Sequence, residues 1–230
     1  MLSKPLKQDQ SALIWASVAS LFCWFVPILN WIALPLEYLN AHTHEMCHAL
    51  ISVLSGGHPS YIKVFYDGSG VTPVIEPGNT GLALVASAGY VGASIIGVLI
   101  ILYSRSEKGA RWSLRVLAGC LIASMILWVR GDTVGVISGF AWIGILIGCT
   151  YWLKERAIQF ASTFVGVQQC LHSVLALITL MHISMFTEQH SDADLMQQAT
   201  GLPGGFWAAG WTAFSILLMG ITLRGAFKKD

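Results

Sequence analysis

Apolar residues run along this chain in blocks of about twenty, parted by short polar or glycine-rich breaks. The first block covers about Ser11 to Leu29 and is broken by Pro27 and Asn30. The second covers about Trp31 to Leu54 and stops at Gly56-Gly57. Later blocks cover about Leu82–Tyr103, Trp112–Val129, Thr133–Trp152, Ala157–Met185 and Gly205–Leu223. A helix rises about 1.5 Å per residue, so roughly twenty apolar residues cross a hydrocarbon core of about 30 Å. The pattern predicts an all-α integral membrane protein of about six to seven transmembrane helices. The pattern also predicts a single membrane-embedded domain over residues 1–230.

Between the second and third blocks the period changes. Residues 61–66 read YIKVFY, Asp67-Gly68-Ser69-Gly70 is turn chemistry, and Val71–Ile75 is strand-like again. This predicts a short β-hairpin after the second helix. Two readings of it stand side by side. One is a surface loop that pairs with itself. The other is an edge strand near an active site, able to hold a substrate in extended form by β-augmentation.

Composition narrows the class. Apolar residues make up 55% of the chain and charged residues 11%, against about 25% charged in soluble domains. A net charge of +1 gives no electrostatic basis for binding nucleic acid. The five cysteines include no CxxC pair and read as free thiols in apolar surroundings. The basic start is followed by an apolar block too long for a signal-peptide core, so the first block is expected to stay as an anchor.

Into this low-charge background falls His44-Glu45-Met46-Cys47-His48. Residues four apart lie on one helix face, so both imidazoles can reach one Zn²⁺, and Glu45 is placed to take a proton from water there. Ionisable residues inside a membrane are costly and mark function. Cys47 lies between the two histidines, but His-Glu zinc sites need no thiol.

A zinc site needs a third protein ligand, and parity says where to look. Blocks three to six are four crossings, so the break after block two and the linker after block six share one membrane side. His48 lies about 12 Å below the end of its helix, within reach of a linker that dips inward. The linker, Thr187 to Thr200, carries Asp192 and Asp194, both candidate ligands. Asp192 equally reads as a helix N-cap ahead of LMQQAT. Asp132 shares that side but reads as a turn residue. His172 and His182, with Gln168 and Gln169, read as interhelical hydrogen-bonding groups in block six. His42 points to another face of its helix, and His58 and His190 read as loop residues.

Orientation carries a conflict. The positive-inside rule puts the loop with Arg105, Lys108, Arg111 and Arg115, the Lys154–Arg156 turn, and the tail with Arg224, Lys228 and Lys229 in the cytoplasm. Seven full spans would then leave the start, with Lys4 and Lys7, on the outer side. Either those lysines are weak determinants, or block one or two does not fully span.

HEMCHAL with Gly56-Gly57, then DGSGVT, then GVQQCL, SDAD and TGLP-x-x-x-W resembles the site-2-protease-like intramembrane zinc metallopeptidases. The likeness is to their compact bacterial branch and covers about Trp31 to Trp211. It implies His44 and His48 as zinc ligands, Glu45 as catalytic base, and a place in the bacterial inner membrane. Better-known members take the third ligand from an Asp-Gly motif in a later span. This chain has no Asp-Gly in its later half, and Asp192 is the best match, with Asp194 second.

The leading expectation is therefore an intramembrane zinc metalloendopeptidase cutting membrane-protein or peptide substrates within the lipid bilayer. The alternatives are a non-proteolytic membrane protein keeping zinc for structure or sensing, and, behind it, a transporter. The sequence names neither a substrate nor an oligomeric state.

Overall fold

The computed structural model describes residues 7–25, 30–75, 78–186 and 191–227. Among the described residues, eight helices and four two-residue strands follow one another: α1 (Gln8–Phe25), α2 (Asn30–Leu54), β1 (His58–Pro59), β2 (Lys63–Val64), β3 (Gly70–Val71), β4 (Val74–Ile75), α3 (Asn79–Tyr103), α4 (Glu107–Leu127), α5 (Thr133–Trp152), α6 (Glu155–Phe186), α7 (Asp192–Thr200) and α8 (Gly204–Phe227). The protein is the all-α membrane architecture that the apolar blocks predict. The break at Pro27 lies outside the described residues.

The helix boundaries have local causes. Gly56, at φ 83°, lets the chain turn out of α2 while the Gly57 amide bonds the Ser52 carbonyl at 2.8 Å, a glycine stop of the left-handed kind. Ser106 caps α4 through the Gly109 amide, and Asp132 caps α5 through the amides of Val134 and Gly135. Each supplies an acceptor to an amide that the helix leaves unpaired.

Among the described residues, five helices are long and apolar enough to cross a membrane: α3, α4, α5, α6 over Glu155–Ile178, and α8. The first two blocks behave differently. α2 carries Glu37, Asn40, His42, Thr43, His44, Glu45 and His48 along its length, and α1 opens with Gln8-Asp9-Gln10-Ser11.

The placement of α1 removes the orientation conflict. Asp9 pairs with Arg105 at 3.0 Å, and Gln10 donates to the Ala226 carbonyl. The start of α1 therefore sits where α3 ends and α8 ends. The far end of the molecule holds the end of α2, the hairpin and the α4–α5 turn. α1 and α2 together carry the chain across once. Lys7 thus joins the other basic segments, and Lys4 lies outside the described residues.

Small residues let the helices approach closely. A Cβ added at Gly97 would meet the Gly166 carbonyl and Cys170, and one at Gly92 would meet Cys47, so α3 lies tight against both α6 and α2. Ser94 bonds both Ser173 and Ser215 at 2.9 and 2.8 Å, tying α3, α6 and α8 with buried hydroxyls. Leu36, Leu39, Ile100, Leu114, Leu121, Trp142, Leu146 and Ile158 form the largest apolar cluster among α2 to α6.

The β-hairpin is present but differs in detail from the expected one. It starts earlier, at His58, which is a strand residue rather than a loop residue. The pairs are His58 with Ile75 and Pro59 with Val74, then Lys63 with Val71 and Val64 with Gly70. Between them the first arm holds Ser60, Tyr61 and Ile62, and the second only Thr72 and Pro73. The extra residue is a β-bulge, which bends the strand and increases its twist. Ile62, in the bulge, bonds Trp128 and Arg130 of the α4–α5 turn, and the Val64 amide donates to Asp132 Oδ2 at 3.0 Å. At the tip, the Ser69 hydroxyl and amide hold the Asp67 carboxyl below its ordinary value. The hairpin folds back along α2: Tyr38 donates to the Tyr66 carbonyl, and Thr72 reaches Glu45.

Candidate metal centre

His44 and His48 leave α2 on one face, as their spacing requires. His48 Nδ1 donates to the Val85 carbonyl of α3 at 2.7 Å. A carbonyl only accepts, so this bond fixes the tautomer and leaves the Nε2 lone pair free. That atom lies 2.9 Å from His44 Nε2. Asp192 Oδ2 lies 3.3 Å from each of the two imidazole nitrogens. Among the described residues these three form the one group of histidine, cysteine or acidic side chains arranged to hold a metal ion.

Asp192 arrives on α7, where the polar linker was expected to run. The linker's last nine residues are helical, and its two aspartates do different things. Ser191, not Asp192, is the N-cap. The Ser191 side chain accepts from the Asp194 amide, and Asp194 Oδ2 accepts from the Ser191 amide at 2.9 Å, a capping box. Asp194 is thereby engaged within α7, and Asp192, at the first helical position, faces α2. The far end of α7 is also tied down. Gly201 turns at φ 77°, and Thr200 Oγ1 accepts from Trp207 Nε1 at 3.0 Å. The TGLP-x-x-x-W stretch thus clasps α7 to the start of α8.

The other candidates go elsewhere. Asp132 caps α5 and holds the hairpin. His42 meets Ser138 Oγ at 3.0 Å on the opposite side of α2. His172 packs against Trp24 with ring centroids 5.5 Å apart. Cys47 points at Gly92. The His182 side chain and all of His190 lie outside the described residues.

The donor set suits a zinc ion. Two imidazole nitrogens and one carboxylate oxygen converge within 4.8 Å of one another, the nitrogen-and-oxygen set that zinc takes. A tetrahedral zinc with bonds of about 2.0–2.1 Å has ligand–ligand edges of about 3.3 Å. Both Asp192 distances match, and the two nitrogens need part a few tenths of an ångström. α3 leaves room for this because it passes the ligands at Gly89, where a Cβ would stand 2.5 Å from His48 Nε2 and closer still to His44.

Glu45 is buried beside this group. Thr72 Oγ1 donates to its Oε2 at 2.7 Å. Tyr90, next to Gly89, packs edge-on against His44 at 4.6 Å and stacks on Trp211 of α8 at 5.7 Å. Thr72 and Tyr90 are not apparent as site residues from the sequence. The Gly70–Thr72 alternation in GSGVT is the signal for Thr72, since residues two apart in a strand share a face. The Val85 carbonyl carries no sequence signal at all.

No curated protein and no solved structure matches the chain. The Peptidase M50B-like family matches it over residues 13–222. That stretch includes α2 with both histidines, the hairpin, α7 with Asp192 and most of α8. A family match of this extent, over a helical membrane fold that converges on one metal-ligand cluster, places the chain in the Peptidase M50B-like family of site-2-protease domains.

Proposed function

We propose that this protein is a zinc-dependent intramembrane endopeptidase that hydrolyses peptide bonds of membrane-protein substrates. The observation that carries the reading is the convergence of His44, His48 and Asp192 from two separate helices, with Glu45 buried alongside. These three side chains would hold the zinc. Bound there, zinc would supply Lewis acidity, polarising a peptide carbonyl and making water acidic near neutral pH. Glu45 would accept the proton from the attacking water and return it to the leaving amine. His48 stays in one tautomer through Val85, and Tyr90 with Trp211 packs the His44 ring in place.

A helical substrate hides its carbonyls in its own hydrogen bonds and must be opened to react. The second hairpin arm offers the means. The outer edge of the first arm is taken at Ile62 by Val129. Among the described residues, β3 and β4 pair only with the first arm. An extended substrate segment adding to that edge would have its backbone held by strand pairing. Tyr66 and Ile75, 78% and 70% exposed, present apolar surface beside it.

The test is Glu45→Gln in purified protein with zinc content measured. Cleavage of a membrane substrate should fall by about 10²–10⁴-fold, the usual contribution of general acid–base catalysis, while zinc stays bound. Cleavage that continues at the wild-type rate would sink the mechanism.

A further inference from the structure

We propose that Thr72 is a positioning residue for Glu45, and that the bulged hairpin is thereby part of the catalytic unit. The inference rests on Glu45 being the proton acceptor of the peptidase reading. Thr72 Oγ1 lies 2.7 Å from Glu45 Oε2 and 3.3 Å from the Glu45 carbonyl, so one hydroxyl bridges the base to its own backbone. Two residues earlier, Gly70 passes so close that a Cβ there would stand 2.7 Å from both Glu45 Cγ and Oε1. Gly70 and Thr72 share one face of the arm. Between them they restrict the carboxylate at both oxygens.

The register makes this contact possible. Without the extra residue between Pro59 and Lys63 the two pairings could not both form. Slipping an arm by one residue turns its alternate side chains to the other face, and Thr72 would then face away from α2. The first arm cannot slip freely, because Ile62 is bonded to Trp128 and Arg130, and Val64 to Asp132. The position of Thr72 is thus fixed from the α4–α5 turn through both arms. A glutamate alone has three rotatable bonds. The hydroxyl and the close pass of Gly70 hold the carboxylate in one conformer, on the helix turn that carries His44 and His48.

The experiment compares Thr72→Val, which keeps the shape and removes the hydroxyl, with Thr72→Ser, which keeps the hydroxyl. Small displacements of a reacting group can cost about 10²-fold. The expected result for Thr72→Val is a kcat lower by about 10- to 100-fold, with zinc content unchanged and KM within about twofold. Thr72→Ser should restore most of the loss. A second readout is independent of turnover. In infrared difference spectra of the metal-free protein, Thr72→Val should shift a carboxylate stretch, and the shift should vanish in a Glu45→Gln background. A residue that only staples the hairpin to α2 would lower thermal stability without the selective kcat effect. Equal kcat in Thr72→Val and wild type, or no carboxylate shift, overturns the inference and leaves the peptidase reading standing. A zinc-loaded wild type that cleaves no membrane substrate overturns the peptidase reading itself, whatever the infrared spectra show.

Discussion

At the scale of single residues, the candidate metal centre depends on what is missing as much as on what is present. Gly89 has no side chain where His44 and His48 need space. Gly89→Ala should therefore lower bound zinc from about one per chain to near zero as read by metal analysis. The fold should survive, because alanine is the better helix former by about 1 kcal/mol in a helix interior. Circular dichroism showing intact helix with lost zinc would be the expected pair of results. A variant that keeps its zinc would show that α3 does not pass the site at this point. The two histidines were legible in the sequence because their geometry is internal to one helix. In the sequence Gly89 is one of several glycines in the third apolar block. That it packs against His44 and His48 depends on how α2 and α3 cross, and spacing along one helix carries no such information.

At the scale of elements, α7 decides between the two aspartates. Ser191-x-x-Asp194 is a capping box, in which the third residue after the cap returns a bond to it. The pattern is short and local, so it was available in the sequence, and it removes Asp194 from the competition for the metal. The two residues then predict an ordered pair of effects. Asp194→Ala should cost α7 about 1 kcal/mol of cap energy, which is roughly a fivefold weaker zinc affinity if Asp192 is held less firmly. Asp192→Ala removes a ligand and should weaken zinc by more than the ~10–100-fold typical of an outer partner. Chelator competition measures both, and a reversed order would make Asp194 the ligand. The hairpin shows where local patterns stop. Its strands and turn follow from YIKVFY and DGSG, but its bulge does not. The extra residue among Ser60, Tyr61 and Ile62 is stabilised by bonds from Ile62 to the α4–α5 turn, some 65 residues further along the chain.

At the scale of the whole molecule, charge is divided between the two ends. Lys7, Arg105, Lys108, Arg111, Lys154, Arg156 and Arg224 gather where α3 and α5 end and α6 begins, outnumbering Asp9, Glu107 and Glu155 at that end. Asp67, Asp132, Asp192 and Asp194 lie at the other end with the hairpin and α7. The cations there are already engaged. Arg130 donates to the Met125 and Leu127 carbonyls in the last turn of α4, and Lys63 sits over the Tyr61 ring. Because α1 and α2 make one net crossing, Lys7 at the start of α1 agrees with the other basic segments. All of them then argue for one orientation, with the basic end in the cytoplasm and the metal centre nearer the outer face. The measurement uses single cysteines in a background with Cys23, Cys47, Cys120, Cys149 and Cys170 replaced by alanine. A membrane-impermeant maleimide applied to intact cells should label Asp67→Cys and leave Lys108→Cys unlabelled until the membrane is opened. The reverse pattern would place the hairpin on the cytoplasmic side, and substrate segments would then enter the site from their cytoplasmic ends. The same division explains why the polar site can sit in this bundle at all. The five apolar helices meet the lipid requirement, which leaves α2 free to carry the polar groups that a metal site demands.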